Sequence, residues 1–187
     1  MFQQLIAKIA KNLADNNLPY MIIGGQAVLL YGEPRLTKDI DITLGVDIDS
    51  LDTLIKINKE ISLNILPENP AEFVKDTMVL PVQDSVTGIR VDYIFSFTPY
   101  EKQAIGRGKK INILGQDVCF TSPEDLIIHK IFSGRPRDLE DARIVLLKNP
   151  EMDTQYIKAT FQDFDIGPDG SNYLKLFEEI LNRQQPF

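Results

Sequence analysis

The run Ile22-Ile23-Gly24-Gly25-Gln26, followed after a short intervening stretch by Arg35-Leu36-Thr37-Lys38-Asp39-Ile40-Asp41-Ile42, constrains this chain more than any other feature. Tyr20 to Ile23 is a short apolar run of the kind that forms a buried strand. Gly24 and Gly25 remove both Cβ atoms where that strand turns into a helix starting near Gln26, so a phosphate-sized anion can approach backbone N–H groups at a helix N-terminus. In the second run an extended strand has a side-chain period of two, which points Asp39 and Asp41 to one face and Ile40 and Ile42 to the other. Two like charges side by side are unfavourable unless they share a cation. Carboxylates with open coordination positions suit octahedral Mg²⁺ bound together with phosphates.

Two-metal phosphoryl chemistry needs a further ligand on a neighbouring strand. Asp92 is the candidate. It lies in Gly88-Ile89-Arg90-Val91-Asp92-Tyr93-Ile94-Phe95, a run rich in β-branched and aromatic residues that predicts a central strand with Val91 and Tyr93 facing away from the carboxylate. A lone Asp inside such a strand is costly to bury without a cation nearby.

A second block begins at Ser122-Pro123-Glu124-Asp125-Leu126-Ile127-Ile128-His129-Lys130 and continues through Gly134-Arg135-Pro136-Arg137-Asp138-Leu139-Glu140-Asp141-Ala142. Ser122 is an N-cap with Pro123 at the first helical position, which predicts a helix running to about Phe132. Gly134 ends it and Pro136 opens the next. On residue chemistry alone, Lys130 is either an anion ligand or a snorkelling surface lysine. Asp138 and Asp141 equally suit the first turn of a helix, where they complement its dipole. His129 diverges from Lys130 by about 100 degrees around the helix and reads as structural.

Gly24-Gly25, Arg35-x-Thr37-x-Asp39-Ile40-Asp41 and the later Asp92 resemble the DNA polymerase beta-type nucleotidyltransferase superfamily, most closely the bacterial abortive-infection (AbiEii-like) nucleotidyltransferases and their small stand-alone relatives. The resemblance covers the N-terminal half well, and the Lys-then-Arg-and-Asp block supports it. It implies an α/β (α+β) nucleotidyltransferase fold, a mixed central sheet flanked by helices with a C-terminal helical extension. It also implies a metal-dependent enzyme moving NMP from an NTP to an acceptor hydroxyl on a tRNA, a protein or a small molecule. Asp39, Asp41 and Asp92 would hold Mg²⁺ or Mn²⁺ and carry the chemistry. Gly24, Gly25, Gln26, Arg35, Thr37 and Lys38 would bind the nucleotide. Lys130 would contact the triphosphate, with Asp138 in the same cleft or orienting a basic neighbour. Polymerase-like members often carry Ser where this chain has Gly25, leaving phosphate recognition to backbone N–H groups and Gln26. Such relatives can work within a toxin–antitoxin or phage-defence pair, so a cognate partner protein is expected, and the alternative is a non-catalytic nucleotide-binding or partner-binding module of the same fold.

The rest of the chain supplies context. The 187 residues support an ordinary core, expected as a nucleotidyltransferase core over 1–121 and a helical extension over 122–187 packed on it as a single compact unit. Phe2, Leu5, Ile6, Ile9 and Leu13 form one stripe of a helix from Met1 to Ala14, a docking helix rather than a signal peptide, and no segment reaches membrane-spanning length. A cytoplasmic protein is expected. Leu51, Leu54, Ile55 and Ile57 predict a crossover helix over Ser50 to Leu63, broken by Pro67 to Pro70. Thr77 to Val82 and Arg90 to Phe95 are expected as strands around a turn, Pro99 to Ile105 as a short helix, Lys110 to Leu114 and Asp117 to Phe120 as a hairpin, and the remainder as helix. The lone Cys119 excludes an intrachain disulfide and reads as buried filler. A net charge of −7 argues against nucleic-acid binding by the whole surface. Two local basic clusters remain, Arg107 with Lys109 and Lys110, and Arg135 with Arg137 and Arg143, as the residues to test if an RNA is the acceptor.

Overall fold

In the computed structural model, which describes residues 1–96, 98–166 and 172–182, the chain separates into two units. The first comprises Met1–Gln26 and Leu36–Thr121, the second Ala27–Arg35 and Ser122–Phe187.

Alternation of apolar and polar residues builds the first unit. Its strands are β1 (Tyr20–Ile23), β2 (Asp39–Leu44), β3 (Leu63–Ile65), β4 (Val79–Asp84), β5 (Arg90–Phe95), β6 (Lys109–Ile113) and β7 (Gln116–Phe120). They form a mixed seven-stranded sheet in the order β3-β4-β5-β2-β1-β7-β6. The central β2 runs antiparallel to β1 and parallel to β5. Ile40, Ile42, Val91, Tyr93 and Phe95 are buried, so one face of β2 and β5 is fixed in the core and a one-residue slip would expose it. Tyr93 donates its hydroxyl to Asn58 Oδ1 at 3.0 Å, which satisfies the one polar atom of the largest buried side chain there. The helix α1 (Phe2–Asp15) packs its stripe of Leu5, Ile6, Ile9 and Leu13 against β7 and β6. The outer strands differ from the rest: β3 has three residues, and β6 opens with exposed Lys109 and Lys110.

Three expectations about helices are corrected. The helix α3 (Leu51–Glu60) stops before Leu63, because Ser62 takes a left-handed φ of 61° and redirects the chain into β3. A helix absent from the sequence reading, α4 (Pro70–Thr77), follows it: Asn69 caps Glu72 N–H, Pro70 occupies its first turn, and Met78 at φ 58° ends it before β4 begins at Val79. Finally, α2 (Gly24–Tyr31) starts at Gly24, two residues earlier than expected. Cys119 is half-buried rather than buried. The capping box between Thr98 and Glu101 starts α5 (Pro99–Gly106).

The second unit is helical. Its long elements are α6 (Pro123–Ser133), α7 (Pro136–Lys148), α8 (Thr154–Asp165) and α9 (Tyr173–Asn182), joined by the C-terminal part of α2. Ser122 caps Asp125 N–H at 3.1 Å, and Gly134 at φ 62° closes α6 in the left-handed conformation that glycine adopts without strain. Edge-on aromatic contacts join α6 to α8 and α9, with Phe132 at 4.7 Å from Phe164 and 4.8 Å from Tyr173 between ring centres. No helix among the described residues is long and apolar enough to cross a membrane.

Candidate functional site

Register brings the first unit's carboxylates together. In the parallel pairing of β2 with β5, Asp39 lies beside Arg90 and Asp41 beside Asp92. Paired positions share a face, so three carboxylates and one guanidinium form a two-by-two patch on the side opposite Ile40, Val91 and Tyr93. The antiparallel pairing of β1 with β2 sets Ile23 against Asp41, which delivers the next residue, Gly24, to that carboxylate. Gly24 has φ +61°, and a Cβ built there would overlap Asp41 Oδ2. The glycine is therefore required both by conformation and by space. Gly25, in ordinary helical geometry, leaves room for Thr37 instead, since a Cβ at 25 would lie 2.8 Å from Thr37 Cβ and overlap its hydroxyl.

Supporting contacts hold the patch. Thr37 Oγ1 donates to Asp39 Oδ1 at 3.1 Å. Gln26 is buried, and its amide donates to the backbone oxygen of Asp39 at 3.3 Å. It therefore braces the Asp39 end of β2. Lys38 is exposed. Both Asp92 oxygens accept from Arg90 Nε, at 2.9 and 3.0 Å.

The donor set fits a hard divalent cation in chemistry and in register, and the missing Cβ at Gly24 lets the Asp41 carboxylate pack against the start of α2. Among the described residues no three His, Cys, Asp or Glu side chains converge closely enough to hold a metal ion as they stand. Asp92 is engaged by Arg90, so release of that contact is one adjustment a cation would require.

The second unit gathers the other sequence-predicted residues into a separate charge network. Lys130, expected either on the surface or at a triphosphate, is buried, and its ammonium pairs with Asp138 and, at 2.9 Å, with Asp141. Arg35 Nη2 donates to the same Asp141 oxygen at 2.9 Å. Asp138 also accepts from Ser133 Oγ and Arg135 Nε, each at 2.5 Å. Burial by itself would raise the Asp138 carboxyl, but the hydrogen bonds from Lys130, Ser133 and Arg135 and the Lys130 charge outweigh it and hold its pKa at about 2. Lys130, Arg35 and Arg135 are gathered around two carboxylates. Asp138 thus orients two basic neighbours. Of the basic clusters, the second is largely internally paired, Arg135 with Asp138 and Arg143 with Glu140, while Arg107 lies over the Tyr100 ring, 6.0 Å from its centre.

Sequence reasoning gave Arg90 no role and read Asp141 only as complementing a helix dipole. Arg90 stood two residues before Asp92, a spacing that puts both on one strand face. Asp141 stood three residues after Asp138, a spacing that puts both on one helix face.

Residues 1–166 match the model of a family described as a nucleotidyltransferase of unknown function (DUF6036). No curated protein matches the chain. Among solved structures, ANT(2'')-Ia in complex with adenylyl-2''-tobramycin is similar at 20% identity and a TM-score of 0.60, over 86% of this chain and 97% of that one. An antigenic nucleotidyltransferase-like protein from Paracoccidioides brasiliensis is similar at 20% identity and 0.58, over 93% and 92%. The lincomycin-bound lincosamide adenylyltransferase LnuA is similar at 17% identity and 0.50, over 73% and 91%. At these identities the likeness is one of fold.

Proposed function

We propose, since the chain belongs to the DUF6036 family of nucleotidyltransferases of unknown function, that it is a metal-dependent enzyme moving NMP from an NTP to an acceptor hydroxyl. One observation carries this reading: Asp41 and Asp92 stand in register on adjacent parallel strands, with Asp39 on the same face and the Cβ-free Gly24 against Asp41.

In the reaction the acceptor oxygen bonds to the α-phosphorus as the bond to the bridging oxygen breaks, and pyrophosphate leaves with that electron pair. Asp92, once clear of Arg90, would take the hydroxyl proton. Asp39 and Asp41 would hold Mg²⁺ or Mn²⁺ with Asp92. When bound, the cation supplies charge neutralisation to the phosphates and acidifies the acceptor hydroxyl. Phosphate oxygens would meet backbone N–H groups at the start of α2, beside the Gly24-Gly25 turn against which Asp41 and Thr37 pack. Thr37 and Gln26 keep the Asp39 end of β2 in place. Nucleotide roles for Arg35, Lys38, Lys130 and Asp138 belong to this reading on the strength of the family likeness.

An adenylylated aminoglycoside in a structure of the same fold supports a small-molecule hydroxyl as acceptor, with a tRNA end or a protein side chain as the other classes. The narrower likeness to abortive-infection nucleotidyltransferases supports a toxin–antitoxin or phage-defence setting with a cognate protein partner. Calorimetric titration of each of the four NTPs, with Mg²⁺ and with EDTA, on the wild-type chain and on Asp39→Ala, tests the reading. Binding that needs the metal and disappears in the variant is expected. Absence of binding by the wild type under every condition sinks it.

A further inference from the structure

We propose that Arg90 is a resident counter-ion of the carboxylate patch, a positioning residue that holds Asp92 until a divalent cation competes for it. The inference rests on the reading of Asp39, Asp41 and Asp92 as metal ligands and deepens it.

Arg90 and Asp92 are two apart on β5 and so project to one face, where Arg90 pairs in register with Asp39 and Asp92 with Asp41. Of these four neighbouring positions three are acidic, and the guanidinium occupies the fourth. Its Nε–H is shared between both oxygens of Asp92, so the lone pairs that a cation would use are engaged by a donor from the protein. Asp92 is also the more enclosed partner, with 17% of its side chain exposed against 53% for Arg90. The arginine can swing into solvent at little cost, whereas the carboxylate stays where the strand puts it. A divalent ion brings twice the charge of the guanidinium and is held simultaneously by Asp39 and Asp41, so it displaces Arg90 rather than adding to it. The pair thereby relieves like-charge repulsion on a face that would otherwise carry three adjacent carboxylates. It also sets a threshold that the cation must exceed.

Titration of Mn²⁺ alone, followed by the electron paramagnetic resonance signal of the free ion, tests this on the wild-type chain, Arg90→Met and Arg90→Gln. Removing the competitor is expected to tighten Mn²⁺ binding about threefold to fivefold, the factor that a half-exposed ion pair is worth. A merely structural role would give the opposite sign, because a loosened patch binds more weakly. In the intact protein the Arg90 Nε–H resonance, identified by its disappearance in Arg90→Gln, is expected to shift on saturation with Mg²⁺. Unchanged or weakened Mn²⁺ affinity in both variants, or an Nε–H resonance that Mg²⁺ does not move, overturns the inference. If wild-type binding is then still abolished by Asp41→Asn, the metal site stands and only the role of Arg90 falls. A wild-type chain that takes up no Mn²⁺ overturns both.

Discussion

Asp41 lies between Gly24, whose missing Cβ its carboxylate fills, and Asp92, its register partner on the next strand. Replacing it with Asn keeps the shape and removes one charge from a face crowded with carboxylates. Asp41→Asn is therefore expected to abolish nucleotidyl transfer while leaving the melting temperature unchanged or raised, and a transfer assay run beside a thermal melt checks both halves. A large fall in melting temperature would return Asp41 to a structural role. The cofacial placement of Asp39 and Asp41 was legible because a strand's period of two needs only the local sequence. The partners of Lys130 were not. Its neighbour Asp141 also binds Arg35, 106 positions away in sequence, and no local pattern reports a contact at that separation.

At the level of elements, α6 and α7 are joined by ions rather than by apolar side chains alone. Lys130 on α6 pairs with Asp138 and Asp141 on α7. Substituting Met keeps the aliphatic stem but leaves both carboxylates short of a buried partner, while Arg135 and Arg35 still serve one each. Lys130→Met is expected to cost about 2–3 kcal/mol, somewhat less than an entirely stranded charge would, as read by urea unfolding. An unchanged midpoint would show that the ammonium contributes no net stability. The same network carries a pH signature. With the Asp138 carboxyl held at about 2, below its ordinary 3.8, its contribution is fully present above pH 4. That contribution is lost as the pH falls through 2, on the order of 2 kcal/mol in all. Acid titration of stability in the wild type against Asp138→Asn is expected to show this loss only in the wild type. Elements were mostly readable from punctuation, as with Ser122-Pro123 and Gly134 around α6. The exception, α4, had its signal in Asn69-Pro70 with Glu72, but the prolines around it read as a break. Only the left-handed Ser62 and Met78 on either side reveal where β3 and α4 fit.

For the whole molecule, binding is a stability term as well as a chemical one. A ligand held only by the folded state stabilises by about 2.7 kcal/mol at a hundred times its dissociation constant. A thermal melt with the cognate NTP is thus expected to rise with Mg²⁺ and to stay flat with EDTA, and an equal rise in EDTA would remove the metal from nucleotide recognition. The seven-stranded sheet has a further consequence at this scale. An outer strand exposes unpaired backbone groups that another chain can copy onto. Here one outer strand offers only three residues, and the other opens with two exposed lysines. A colliding copy finds a stub at one end and two like charges at the other, features that work against copies knitting into a shared sheet.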